Sequence, residues 1–123
     1  MLKAILIVGS GSFIGGALRC LVSTAMKGVG GGSFPWGTLA VNLAGCLLIG
    51  LLYGLFSRFS TTGSSWCLFL TTGLCGGFTT FSTFANESLK MLQSGNIWGF
   101  AGYVGVSVLA GIALTALGYL IAR

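Results

Sequence analysis

The chain has 123 residues, of which 54% are hydrophobic and only 6% charged, and its mean hydropathy is +0.99. A soluble domain of this size carries about 25% charged residues, so most of this surface must face lipid, and little chain is left over for a separate soluble domain. The net charge of +5 comes from Lys3, Arg19, Lys27, Arg58, Lys90 and Arg123 against a single acid, Glu87; basic residues scattered one by one suit membrane anchoring, whereas a nucleic-acid footprint gathers them on one face.

A membrane-crossing helix needs about 20 apolar residues, and four such runs follow one another. The first, Leu2 to Met26, is too long and glycine-rich for the core of a signal sequence and reads as a helix of the mature protein. The second, Trp36 to Phe56, starts after the only proline, Pro35, where a missing N–H does no harm. It carries Thr38 and Asn42, four apart and so on one helix face. The third runs from Ser65 to Leu92 and the fourth from Ile97 to Ile121, with Tyr103 and Ser107 again four apart. The expected architecture is a single all-α transmembrane domain over residues 1–123, with short linkers at Lys27–Pro35, Ser57–Ser64 and Gln93–Asn96.

The third run contains the segment GLCGGFTTFSTFANE, Gly73 to Glu87. Gly76 and Gly77 remove side chains, Thr79, Thr80, Ser82 and Thr83 add hydroxyls, and Phe78, Phe81 and Phe84 recur every third residue. Irregular or polar backbone at membrane depth is tolerated only where protein buries it or a cavity adjoins it. The composition therefore predicts a helix, a break near Gly76 to Thr79, and a second helix carrying Phe81 to Lys90.

Twenty-two glycines suit a bundle in lipid, where small residues let backbones approach and pack by van der Waals contact. Pairs at small-xxx-small spacing occur at Gly11/Gly15, Gly50/Gly54, Gly73/Gly77, Gly95/Gly99 and Ser107/Gly111. Four spans put both termini on one side with Lys3, Arg58 and Arg123, against Lys27 and Lys90 on the other, with Arg19 in the half of its helix nearer Lys27. Orientation follows a clear Lys/Arg bias; with hardly any bias, insertion both ways and an antiparallel homodimer are expected.

With no His, no Asp and one Glu, paired acid–base catalysis within one chain is excluded, so the chain is not expected to be an enzyme. Cys20, Cys46, Cys67 and Cys75 lie in apolar segments without a C-x-x-C pair, which argues for packing rather than metal ligation. What remains is neutral: the hydroxyls and amide of Thr38, Asn42, Thr71, Thr72, Thr79, Thr80, Ser82, Thr83, Tyr103, Ser107 and Thr115. Rows of such donors can replace the hydration shell of a passing ion. The plainer alternative for each Ser and Thr is a bond to a backbone carbonyl or a neighbouring helix. Arg19 and Glu87 are ionisable groups at membrane depth, which usually face a bundle interior or water; Arg19 either gathers anions at a vestibule, snorkels, or pairs with Glu87.

Together GLCGGFTTFSTFANE, PWGTLAVNLAG at Pro35 to Gly45 and GGALRCLVS at Gly15 to Ser23 closely resemble the Fluc (CrcB) fluoride channels, and the resemblance runs through all four spans. It implies a small bacterial inner-membrane protein exporting fluoride passively, as a dual-topology antiparallel homodimer with two pores. It implies Phe81 and Phe84 as the rings whose edges meet fluoride, Asn42 as a pore donor, and Ser82 and Thr83 as its continuation. Gly76 and Thr79 would offer backbone carbonyls from both subunits to one central sodium ion, and Arg19 would stand near a pore entrance. Thr38, Tyr103 and Ser107 complete the polar positions, while Gly111 stands where a further hydroxyl is expected and Cys20 where an aromatic is more usual. The rival reading, a four-span proton-coupled multidrug exporter, relies on a glutamate in the first helix, which here has none. A non-transporting scaffold subunit would leave the Asn42 and Thr/Ser rows unexplained.

Overall fold

The computed structural model describes residues 1–27, 34–61 and 63–123; the glycine-rich part of the expected first linker, residues 28–33, lies outside the described residues. The described residues form α1 (Leu2–Ala25), α2 (Trp36–Arg58), α3 (Ser65–Leu68), a π-helical segment (Phe69–Cys75), α4 (Gly76–Phe78), α5 (Phe81–Gln93) and α6 (Ile97–Ala122). Elements α3 to α5 make up the third span, Ser65–Gln93, and the chain thus has four helical stretches long and apolar enough to cross a membrane. It is a multi-pass membrane protein, and the spans end within two residues of the expected limits.

Side-chain oxygens cap helix starts on either side of the third span. The Ser64 hydroxyl accepts from the Cys67 N–H at 3.1 Å at the start of α3. The Asn96 side chain accepts from the Gly99 N–H at 2.9 Å at the start of α6. Just before it, Gly95 takes a φ of +81°, which turns the chain from α5 into α6 at no steric cost.

The break falls at the C-terminal edge of the expected interval. Gly76 and Gly77 remain helical in α4, and it is Thr79 and Thr80 that are extended, with ψ of 161° and 124°. The π-helical segment before it was not expected. Inside it the Thr71 hydroxyl donates to the Cys67 carbonyl at 2.6 Å, and a side chain that enters the backbone ladder in this way loosens the turn.

Two close pairings hold the spans together. α1 packs on the π-helical segment and α4, and α2 packs along α6. At the first, a Cβ on Gly11 would stand 2.7 Å from the Phe69 carbonyl oxygen; at the second, a Cβ on Gly118 would stand 2.6 Å from that of Leu47. Gly15, Gly50, Gly54, Gly73 and Gly77 lie in the same two seams, whereas Gly99 faces only its own cap residue Asn96, and Gly111 meets nothing but the Cys46 side chain. Two of the five small-residue pairs therefore serve a turn and a cavity instead of a helix contact. The apolar core is small, with Leu39, Met91 and Tyr103 surrounded by Phe34, Leu43, Phe84 and Phe100, where α2, α5 and α6 meet.

Candidate functional site

The site is built around the break. Asn42 reaches it from α2, accepting from the Thr80 N–H at 2.9 Å and donating its amide to the Thr80 carbonyl at 3.1 Å. These bonds satisfy backbone groups that the interrupted helix leaves open. Thr80 in turn caps α5: its hydroxyl accepts from the Thr83 N–H at 3.4 Å and lies 3.1 Å from the Thr83 hydroxyl.

Diversion of these donors releases carbonyls. The Thr79 N–H goes to Cys75 at 3.0 Å and the Thr80 N–H to Asn42, so the Gly76 carbonyl loses the partner a continuous helix would supply. The Thr79 carbonyl loses its own because the Thr83 N–H turns to Thr80. Gly76 is exposed. The Gly77 carbonyl is taken by Arg19, whose Nε donates to it at 3.2 Å, placing a cation at the C-terminal end of α4. No Arg19–Glu87 ion pair forms among the described residues.

One cavity adjoins the break, and two more lie near it. The first, of about 370 Å³, is lined by Asn42, Cys46, Gly76, Thr79, Phe81, Phe84 and Ser107, among others. A second, of about 580 Å³, runs between α2 and α6 past Cys46, Tyr53, Ser107, Gly111, Thr115 and Tyr119. The third, of about 490 Å³, is more polar and opens beside Arg19, Lys27, Thr38, Thr83 and Glu87. Inside the first, Phe81 is 79% exposed and its ring centroid lies 5.8 Å from that of Phe84, which lies 5.0 Å from Tyr103. The Tyr103 hydroxyl donates to Glu87 at 3.2 Å, next to Thr38. Ser107 Oγ is shielded from solvent and has no hydrogen-bond partner among the described residues.

Residues 6–119 match the family described as "CrcB-like protein, Camphor Resistance (CrcB)". The chain belongs to the CrcB family. It is 47% identical over 117 residues to a protein of Phocaeicola vulgatus named "Fluoride-specific ion channel FluC", a match covering 95% of this chain and 96% of that one. Proteins of the same name from Leptospira interrogans and Azobacteroides pseudotrichonymphae are 43% and 40% identical, over 94% and 98% of this chain and 91% and 97% of theirs.

Of the residues singled out by the CrcB resemblance, Asn42, Phe81, Phe84 and Ser107 meet at one cavity, together with Gly76 and Thr79. Thr38, Thr83 and Arg19 meet at the polar one. Tyr103 is fully buried, joined to the first group through Phe84 and to the second through Glu87. Ser82 is exposed and lines none of the three cavities. Glu87, which the sequence offers only as a partner for Arg19, instead holds Tyr103. A carboxylate sixteen residues before a tyrosine, across a turn, carries no signal before α5 and α6 are seen folded together.

Proposed function

We propose that this chain conducts fluoride passively across the bacterial inner membrane, as an antiparallel homodimer with two pores. The observation that carries the reading is the Ser107 hydroxyl: a shielded donor with no partner among the described residues, in the cavity that also holds the Phe81–Phe84 pair and the Asn42 amide. An unpaired buried hydroxyl is costly unless something passing through accepts from it. Phenylalanine edges carry partial positive charge, so two adjacent rings meet an anion without trapping it. The family and the printed names of the relatives support fluoride as that anion. Fluoride is small and strongly hydrated, and a narrow, donor-lined path favours it over larger chloride. The multidrug-exporter reading lacks its acid, since α1 contains none.

What the break leaves open supports the dimer. Phe81 and Gly76 are exposed, and the Gly76 and Thr79 carbonyls have lost their helical donors. Unwound carbonyls suit a hard cation, so these two residues from each copy fit a central sodium ion. The ion would supply a fixed positive charge joining the two breaks.

Purified protein in liposomes loaded with fluoride should release it when a potassium ionophore provides counter-charge. Release that required a proton gradient, or chloride leaving equally fast, would sink the proposal.

A further inference from the structure

The first cavity and the α2–α6 groove share Cys46, Ser107 and Val108, so they form one continuous recess. Thr115 lines the groove, but its single hydroxyl proton is shared between the Cys46 carbonyl at 3.1 Å and the Gly111 carbonyl at 2.9 Å. It has nothing left to donate. Ser107 Oγ, shielded and without a partner among the described residues, does. The other side-chain donor lining the junction is the Cys46 thiol, which is in no disulfide among the described residues. Gly111 leaves the thiol uncovered, because a Cβ there would stand 3.3 Å from the sulfur. Thr115 fixes the Cys46 backbone through its carbonyl. A thiol is a weak donor, which suits a station that an ion must leave as readily as it enters.

We propose that Cys46 is a pathway residue: its S–H and the Ser107 O–H form a paired-donor anion station at this junction, which makes conduction sensitive to thiol modification. The proposal rests on the fluoride-channel reading above. Methyl methanethiosulfonate tests it. The Cys46 sulfur attacks the sulfenyl sulfur, an S–S bond forms as the S–SO2 bond breaks, and methanesulfinate leaves while the thiol proton passes to water. The added thiomethyl group then fills the junction and covers the donor.

In proteoliposomes of the full chain, the reagent should lower fluoride efflux by about tenfold or more, with peptide mass analysis showing the adduct on Cys46. Cys20→Ser, which removes the exposed thiol, should be blocked equally, and Cys46→Ala should be insensitive. Without reagent, Cys46→Ser, which keeps a donor, should conduct about tenfold faster than Cys46→Val, which keeps the bulk alone. Undiminished efflux from wild-type protein carrying the Cys46 adduct overturns the proposal, as does a block that survives Cys46→Ala, or equal efflux from the Ser and Val variants. Untreated wild-type protein separates the two readings: if it releases no fluoride both fall, and if it releases fluoride but resists the block only this one falls.

Discussion

Asn42 and Thr80 hold each other by two hydrogen bonds, the Asn42 side-chain amide standing in for a peptide unit that the broken helix lacks. The break is thus a feature shared between α2 and the third span. Asn42→Leu leaves one N–H and one carbonyl of Thr80 without their partner, each worth about 1–3 kcal/mol when buried. Asn42→Asp keeps the acceptor and loses the donor, so it should destabilise by about half as much. The check is the temperature at which purified protein loses its monodisperse gel-filtration peak, which should fall in the order wild type, Asp, Leu.

Phe81 and Phe84 differ in their surroundings, and their substitutions should differ too. Phe81 is largely exposed, so Phe81→Ile changes little packing within one chain, while Phe84 touches Tyr103 beside the core. Phe81→Ile should suppress fluoride efflux by about tenfold or more with the dimer intact. Phe84→Ile should suppress it and also lower stability by about 1 kcal/mol, from lost aromatic contact. Normal flux through Phe81→Ile would remove that ring from the pathway.

The sodium proposal makes a prediction independent of fluoride. A ligand that binds only the assembled state stabilises it by mass action. Replacing sodium with a bulky organic cation should therefore raise the monomer fraction in dilute detergent, and restoring sodium should reverse this. Dimer stability indifferent to sodium would rule out the carbonyls of Gly76 and Thr79 as its ligands.

Much of this arrangement was legible because lipid imposes simple demands. Apolar run length located the four spans, and the cluster of glycines and hydroxyls located the interruption. The break falls at the far edge of the expected interval because Gly73 and Gly77 serve another purpose. They press against Gly11 and Ser12 of α1, and the chain stays helical through them. Thr79 and Thr80 break the helix since Asn42, 38 residues away, offers Thr80 an alternative to the ladder. No local pattern records such a partner. The π-helical segment was invisible for a related reason: Thr71 bonding back to Cys67 is a choice made among several open to any threonine. Ser107 and Cys46 were readable as polar and apolar helix residues, but their meeting in one recess needed α6 laid along α2.

The α2–α6 seam yields the last prediction. At Gly50 an added Cβ would collide with the Thr115 carbonyl, whereas at Gly102 it would meet nothing within 4 Å. Gly50→Ala should therefore cost about 1–3 kcal/mol through overpacking, while Gly102→Ala should be neutral or stabilise by up to about 1 kcal/mol through helix propensity. The two substitutions are chemically identical, so the contrast isolates packing. Because Thr115 also fixes Cys46, and Ser107 lies two turns before it on α6, pushing α6 away at Gly50 should disturb the junction. Gly50→Ala protein that still forms dimers should show reduced fluoride efflux, and Gly102→Ala protein should not. Equal stability and equal efflux for the two variants would mean that α6 does not pack on α2 as described.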